Sequence, residues 1–347
     1  MPVTSGADGV KEIAGHGTPV PWRAGWLVLY LVFVSVVMLA CLEAFCRLGW
    51  IPNSAYRLAR ACDASGTGRR ALILGDSFSV DFAGSYGRLL AEDLRGKGVY
   101  VANLALPGAG PLDYRERLSA CAGRLEPGLV VVNYYVGNDA SDTSAVLRRR
   151  LGLRDPLRRV ARVSYLGALA LDIRARRVQT QRLRTLERQP DLPRARGREV
   201  LNPFLEEAGR VYPEMIVDNL LLESSDMQRA WEANQEALRD MERLIEAVGG
   251  RMLLAILPAT TQVSRSHSAF YADLGFRIED RAFRDDAPQR LLRSFCRDER
   301  IECVDLLPEF RRQQPRELYL ENDDHWNPDG QMLAFTVVRD RIELLGW

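Results

Sequence analysis

What most restricts this chain is a set of short apolar runs, each followed or preceded by a stretch with helical periodicity. Arg70–Leu74, Val99–Leu104, Leu129–Val136, Met252–Leu257 and Ile301–Leu306 each read as a strand, the compact apolar kind buried on both faces. Between them, Tyr86, Leu89, Leu90 and Leu94 share one helical face that Gly96 closes, and Tyr114, Leu118, Ala122 and Leu125 share another. Trp231, Asn234, Leu238, Met241, Ile245 and Val248 recur at helical spacing until Gly249-Gly250. A further helix is expected near Pro288, and a last one from about Pro328 to Leu345. Strands alternating with helices predict an α/β fold with a parallel sheet covered on both faces. In such a sheet the ligand site lies beyond the carboxyl ends of the strands.

The N-terminal region is of a different kind. Residues 1–25, rich in Gly, Pro, Thr and Ser, read as a disordered tail. Trp26–Leu42 carries no charge, and apolar residues resume after Glu43 up to Cys46. A bilayer core of roughly 30 Å needs about 20 helical residues, so 26–46 is expected to be a single transmembrane helix. Trp22, Trp26 and Trp50 stand where interfacial aromatics belong. Met38–Cys41 weakly resembles a lipoprotein cleavage site, but the long tail before it and Leu39 speak against a lipid anchor. Residues 47–68 read as a connector, and 69–347 as the folded domain. An arginine-rich insertion around 145–200 interrupts it; its arginines read as a solvated helical face paired with local acids, or as a surface for an anionic polymer or lipid.

The formal net charge of +1 gives no global attraction for nucleic acid, and no zinc-finger or RNP pattern occurs. No GxGxxG follows a strand and no Walker A motif is present, so a nucleotide-binding reading has no support. The six cysteines form no metal-like CxxC array. Cys62, Cys121, Cys296 and Cys303 could pair in an oxidising compartment, with Cys296 and Cys303 close in sequence; the alternative is small buried thiols.

The strand ends carry the chemistry. The first strand ends in Gly75-Asp76-Ser77-Phe78-Ser79, which exposes a serine at the ligand edge of the sheet, and the helix expected after it would aim backbone N–H groups at developing negative charge. Alone, this is an ordinary turn with an N-cap. A serine hydroxyl needs a base before it attacks an ester, and the chain has three histidines. His16 lies in the tail, and His267 has no acid close in sequence. His325 follows Asn322-Asp323-Asp324, and a carboxylate two residues away can reach its Nδ1–H, fix the tautomer and stabilise the imidazolium. Acyl transfer also needs donors for an oxyanion. The loop Asn103–Gly110 offers a glycine whose backbone can approach a ligand, and Gly137-Asn138-Asp139 offers a side-chain amide.

Taken in order, GDSFS, LPGAG, GND and DDHWNPDG resemble the sequence blocks of SGNH (GDSL-like) hydrolases, from about Ala71 to the C-terminus. The resemblance implies a flavodoxin-like three-layer α/β/α sandwich. It implies Ser77 as nucleophile, His325 as base, and Gly108 and Asn138 as oxyanion donors alongside the Ser77 amide. Many members place the acid three residues before the histidine, which here is Asn322. The DxHW form is similar to a branch that includes cell-envelope polysaccharide O-acetyltransferases, where the acid sits two residues before, at Asp323. Asp324 is less suited, because neighbouring side chains tend to point apart.

Three functions are compatible with these residues. The first is an esterase or deacylase acting on acylated cell-envelope glycan, with the domain outside the cytoplasm. The second is an O-acyltransferase that hands the same acyl group to a sugar hydroxyl, with a membrane acyltransferase as partner. The third is a non-catalytic carbohydrate-binding module on a hydrolase scaffold. None requires a cofactor or a metal, and no nucleic-acid partner is expected.

Overall fold

A computed structural model describes residues 22–63, 68–152, 164–187 and 202–347. The chain divides into two units, Met1–Ile51 and Pro52–Trp347. The tail up to residue 21, His16 with it, lies outside the described residues, as do 153–163 and 188–201 of the arginine-rich region.

In the first unit, Trp22–Arg47 is one continuous helix. Its stretch Gly25–Arg47 is long and apolar enough to cross a membrane, and most of its Leu, Val and Phe side chains lie exposed. At the end of the helix, Phe45 stacks on Trp50 just beyond it, with ring centroids 5.0 Å apart.

In the second unit the strands are β1 (Arg70–Leu74), β2 (Tyr100–Asn103), β3 (Leu129–Tyr135), β4 (Arg251–Leu257) and β5 (Glu302–Asp305). They form one sheet in the order β2-β1-β3-β4-β5, and every pairing is parallel. This is the doubly wound order in which the chain changes direction between β1 and β3, leaving a crevice at their carboxyl ends. Helices cover the sheet: Ser225–Glu246 packs against Pro111–Leu125 and Asp139–Gly152, while Pro328–Leu344 packs against Tyr86–Gly96. The central strand β3 is buried at every residue, as its largely apolar run suits. Its one amide, Asn133, is paired with its neighbours: its Nδ2 donates to the Leu74 carbonyl at 2.9 Å, and its Oδ1 accepts from the Tyr86 hydroxyl at 2.9 Å.

Two cystine bridges join the four cysteines outside the N-terminal helix. Cys62–Cys121 links the helix Ser54–Cys62, which lies in the segment read as a connector, to Pro111–Leu125. Cys296–Cys303 closes a short loop between helix Ala287–Glu299 and β5. The buried-thiol alternative is thereby corrected.

The arginine-rich region is helical where it is described, at Asp139–Gly152 and Tyr165–Glu187. Arg148 meets Asp226 at 3.2 Å, a local pairing of the kind expected for a solvated face. The stretch after β4, which has no clear period in sequence, holds three short helices at Thr260–Val263, Ser266–Asp273 and Asp280–Arg284.

Candidate active site

The turn after β1 departs from the helix expected there. Ser77 does not open a helix; it opens a single 3-10 turn, Ser77–Ser79, and the helix begins only at Tyr86. The cause is local. Asp76 caps the turn by accepting the Phe78 N–H at 3.0 Å, and the Ser79 N–H donates to the Asp76 carbonyl at 3.2 Å. The Ser77 N–H is left as the turn's remaining donor. Gly75 permits this tight path, because a Cβ there would collide with the Ser79 hydroxyl.

His325 arrives from the other end of the chain on a narrow hairpin. Tyr319 and Trp326 form an antiparallel bridge, the Leu320 N–H donates to the His325 carbonyl at 2.9 Å, and the Asn327 N–H to the Leu318 carbonyl at 3.0 Å. Asn327 then caps the last helix through the Gly330 N–H at 3.0 Å, with Pro328 at its first position. The imidazole lies on the ring of Phe78, with centroids 4.9 Å apart, and Trp326 meets the same ring edge-on at 4.8 Å.

The outcome is a continuous chain of hydrogen bonds. His325 Nε2 is 2.8 Å from Ser77 Oγ, and its Nδ1 is 2.8 Å from Asp323 Oδ1. A carboxylate only accepts, so Nδ1 carries a proton; in the neutral ring Nε2 is then the acceptor that faces the serine hydroxyl. Asp324 is closer to the ring than its adjacency to His325 suggested, with Oδ1 3.2 Å from the same Nδ1. The tight turn at the hairpin tip is the reason: the Asp324 N–H donates to Asp323 Oδ1 at 2.7 Å, which folds both carboxylates to one side. Asp323, Asp324 and His325 are also the described residues whose donor atoms, all within 4.8 Å of one another, could gather round a cation. A metal there would compete for the nitrogen that Asp323 already engages.

The charges obey this geometry. Burial alone disfavours the imidazolium of His325, but the facing Asp324 and Asp323 carboxylates outweigh it and raise the pKa. Burial pushes Asp323 up against the opposing His325 bond. Asp324 is buried too, yet the charge of His325 prevails and holds it below the ordinary carboxylate range. Beneath the serine, the fully buried Asp76 is pushed up to about 6 by desolvation, offset by the Phe78 N–H, His325 and the Asn138 side chain.

The two remaining sequence candidates stand on neighbouring strand ends. Asn138 follows β3, and its side chain is close enough to Asp76, in the turn that carries Ser77, to lower that carboxyl's pKa. Its carbonyl accepts from Asp142 N–H and Ser141 Oγ, each at 2.8 Å, which anchors it at the start of the next helix. Gly108 lies in the exposed loop after β2 with φ of 69°, a conformation that favours glycine. The Leu106 N–H donates to the Gly75 carbonyl at 2.9 Å, tying that loop to the turn after β1. Asp76, Phe78 and Trp326 are the site residues that motif reading passed over. Their signal was present, since Asp76 and Phe78 flank Ser77 and Trp326 follows His325, but their work is to pack and cap.

Residues 217–345 match a family model described as "SGNH hydrolase-like domain, acetyltransferase AlgX". The matched segment contains Asp323 and His325 and excludes Ser77, Gly108 and Asn138. Similar solved structures include TesA, at 16% identity with a TM-score of 0.41, covering 80% of this chain and 99% of that one. Another is a catalytic mutant of Axe2, an acetylxylan esterase from Geobacillus stearothermophilus, at 13% identity with a TM-score of 0.43, covering 80% and 95%. A third is a GDSL-like lipase from Bacteroides thetaiotaomicron, at 13% identity with a TM-score of 0.41, covering 84% and 98%. No curated protein matches the chain. Residues 217–345 thus resemble an SGNH hydrolase-like domain, and the parallel five-stranded sheet is the architecture expected of one.

Proposed function

We propose that the protein is a serine-dependent ester hydrolase that removes acyl groups from a cell-envelope glycan. The observation that carries this reading is the relay from Ser77 Oγ to His325 Nε2 at 2.8 Å and from His325 Nδ1 to Asp323 at 2.8 Å. Ser77 Oγ attacks the acyl carbonyl carbon while its proton passes to Nε2. The negative oxygen of the tetrahedral intermediate is received by the Ser77 and Gly108 backbone N–H groups and the Asn138 amide. The intermediate collapses, the alcohol leaves with the proton from Nε2, and water then attacks the acyl-serine to release the acid. Asp323 orients the ring and stabilises the imidazolium throughout.

A second reading has its own support in the acetyltransferase description of the matched family. The acyl-serine is the same, but a sugar hydroxyl takes the place of water, with a membrane acyltransferase as the source of the acyl group. For location, we infer that the helix Trp22–Arg47 anchors the chain in a membrane and that the domain faces an oxidising, extracytoplasmic compartment. Cys62–Cys121 and Cys296–Cys303 support that side, since disulfides persist where thiols are not kept reduced.

The test is fluorophosphonate labelling of the full-length chain in detergent beside its Ser77→Ala variant. Labelling that disappears in the variant supports an activated serine; a folded wild-type chain that takes no label overturns the enzymatic reading. Product analysis with an acetyl ester, with and without added glycan, separates hydrolysis from transfer.

A further inference from the structure

His267 has no part in the relay above, yet it is 4% exposed and bonded on both ring nitrogens. Its Nε2 lies 2.8 Å from the carbonyl oxygen of Leu320. A carbonyl only accepts, so Nε2 carries the proton and donates. Across the ring, Nδ1 is 3.0 Å from Ser264 Oγ, which is itself 2.8 Å from Glu317 Oε2. Ser266 Oγ lies 2.7 Å from Ser264 Oγ and 3.1 Å from Glu317 Oε1, so the ring meets a serine hydroxyl that is itself tied to Ser266 and Glu317. The short helix Ser266–Asp273 that bears His267 therefore grips one arm of the hairpin at both Glu317 and Leu320.

Leu320 is the peptide on which the hairpin tip turns. Its N–H donates to the His325 carbonyl at 2.9 Å, and its carbonyl also receives the Asp323 N–H at 3.4 Å. The backbones of the candidate base and of its orienting acid are thus both hung on Leu320, and His267 holds Leu320 from outside. Other bonds tie the hairpin to the end of β4, from Thr260 Oγ1 to the Asp324 carbonyl at 3.0 Å and from Tyr319 Oη to the Pro258 carbonyl at 3.1 Å. Thr260 acts through Asp324, whose N–H holds the Asp323 carboxylate, while His267 acts through Leu320, whose backbone is bonded to both His325 and Asp323.

We propose that His267 is a positioning residue for the base: through Leu320 it sets where His325 stands relative to Ser77. The inference rests on Ser77 and His325 being the reacting pair. A misplacement of about 1 Å at a reacting centre can cost about 10²-fold in rate, so a bond two links removed has kinetic weight.

The experiment measures the rate constant of fluorophosphonate modification of Ser77 in the full-length chain, for wild type, His267→Met and His267→Gln, with melting temperatures alongside. Met fills the space without a donor, while the Gln amide can still donate to Leu320. His267→Met is expected to react about 10- to 10²-fold more slowly, and His267→Gln to stay within about threefold of wild type. Rescue by Gln at equal melting temperatures separates positioning from a loss of folded protein. Equal rates in all three chains overturn the inference while leaving Ser77 as nucleophile; absent Ser77-dependent labelling in wild type overturns the reading beneath it. Should the Met variant not fold, the histidine side-chain 15N spectrum of wild type decides. A protonated, slowly exchanging Nε2 on His267 supports the bond to Leu320, and an unprotonated Nε2 overturns it.

Discussion

Ser77 and His325 stand 248 positions apart in the chain and meet with 2.8 Å between Oγ and Nε2. The contact joins the first strand's end to the hairpin before the last helix, so it exists only when the whole sheet is assembled. If it is the reacting pair, Ser77→Ala and His325→Ala should each lower ester turnover by about 10³-fold or more, and the double variant by no more than the larger single loss. Steady-state assays on an acetyl ester would show this, and additive losses would mean that the two residues act independently.

Two carboxylates face His325 Nδ1, Asp323 hydrogen-bonded to it at 2.8 Å and Asp324 beside it at 3.2 Å, and they are expected to do different work. Asp323→Asn should cost about 10²-fold or more, since it disturbs the bond that sets the tautomer. Asp324→Asn should leave turnover within about tenfold at its optimum and move the pH profile. The direction is set by charge: Asp324 raises the His325 pKa, so removing it makes the neutral base available at lower pH, and the rising limb shifts toward acid. A profile that does not move would show that the Asp324 charge is not felt at the ring.

In the proposed reaction Asn138 is one of the oxyanion donors. Asn138→Ala should reduce kcat by about 10²-fold with little change in KM, because the donor acts on charge that appears only in the transition state. A variant near wild-type turnover would remove Asn138 from that role.

Asp76 is fully buried and its pKa is pushed up to about 6 by desolvation. A carboxyl raised above its unfolded value favours the native state while protonated, and that advantage fades as pH rises from the unfolded pKa through the folded one. Asp76→Asn keeps an oxygen for the Phe78 N–H and stays neutral. It should therefore raise the melting temperature at pH 8, by a stabilisation on the order of 1–3 kcal/mol, and change it little at pH 4. Thermal unfolding at the two pH values tests this; equal effects at both would mean that Asp76 does not titrate in the folded chain.

The disulfides differ mainly in the loop they close, with sequence separations of 59 and 7 residues. Chain-entropy arguments give about 4 kcal/mol for the longer loop and about 2.5 kcal/mol for the shorter. Replacing Cys62 and Cys121 by Ala should thus lower the melting temperature more than replacing Cys296 and Cys303. The opposite order would indicate that native-state packing around β5 outweighs loop entropy.

Much of this architecture is legible in the sequence because it depends on short-range patterns. A strand buried on both faces is apolar along most of its length, and β3 and β4 announce themselves that way; a helix packed on a sheet must repeat every three or four residues, as Trp231 to Val248 do. Ser77 and Asn138 stand out for a related reason, since polar groups at the ends of such runs lie at the ligand edge of the sheet, and His325 stands out through the carboxylates just before it. The path of the chain just after Ser77 is less visible: Asp76 closes a 3-10 turn in place of the expected helix, and no periodicity over three residues can signal that. The partnering of the four cysteines likewise needed the packing of helix Ser54–Cys62 on Pro111–Leu125. The approach of Asp324 to the ring follows from a turn only two residues wide, too short to show as a pattern. Tertiary structure alone decided the meeting of Ser77 with His325 and the grip of His267 on Leu320, because both join residues more than fifty positions apart, and distances of that kind are set by the assembled core and by no local run of residues.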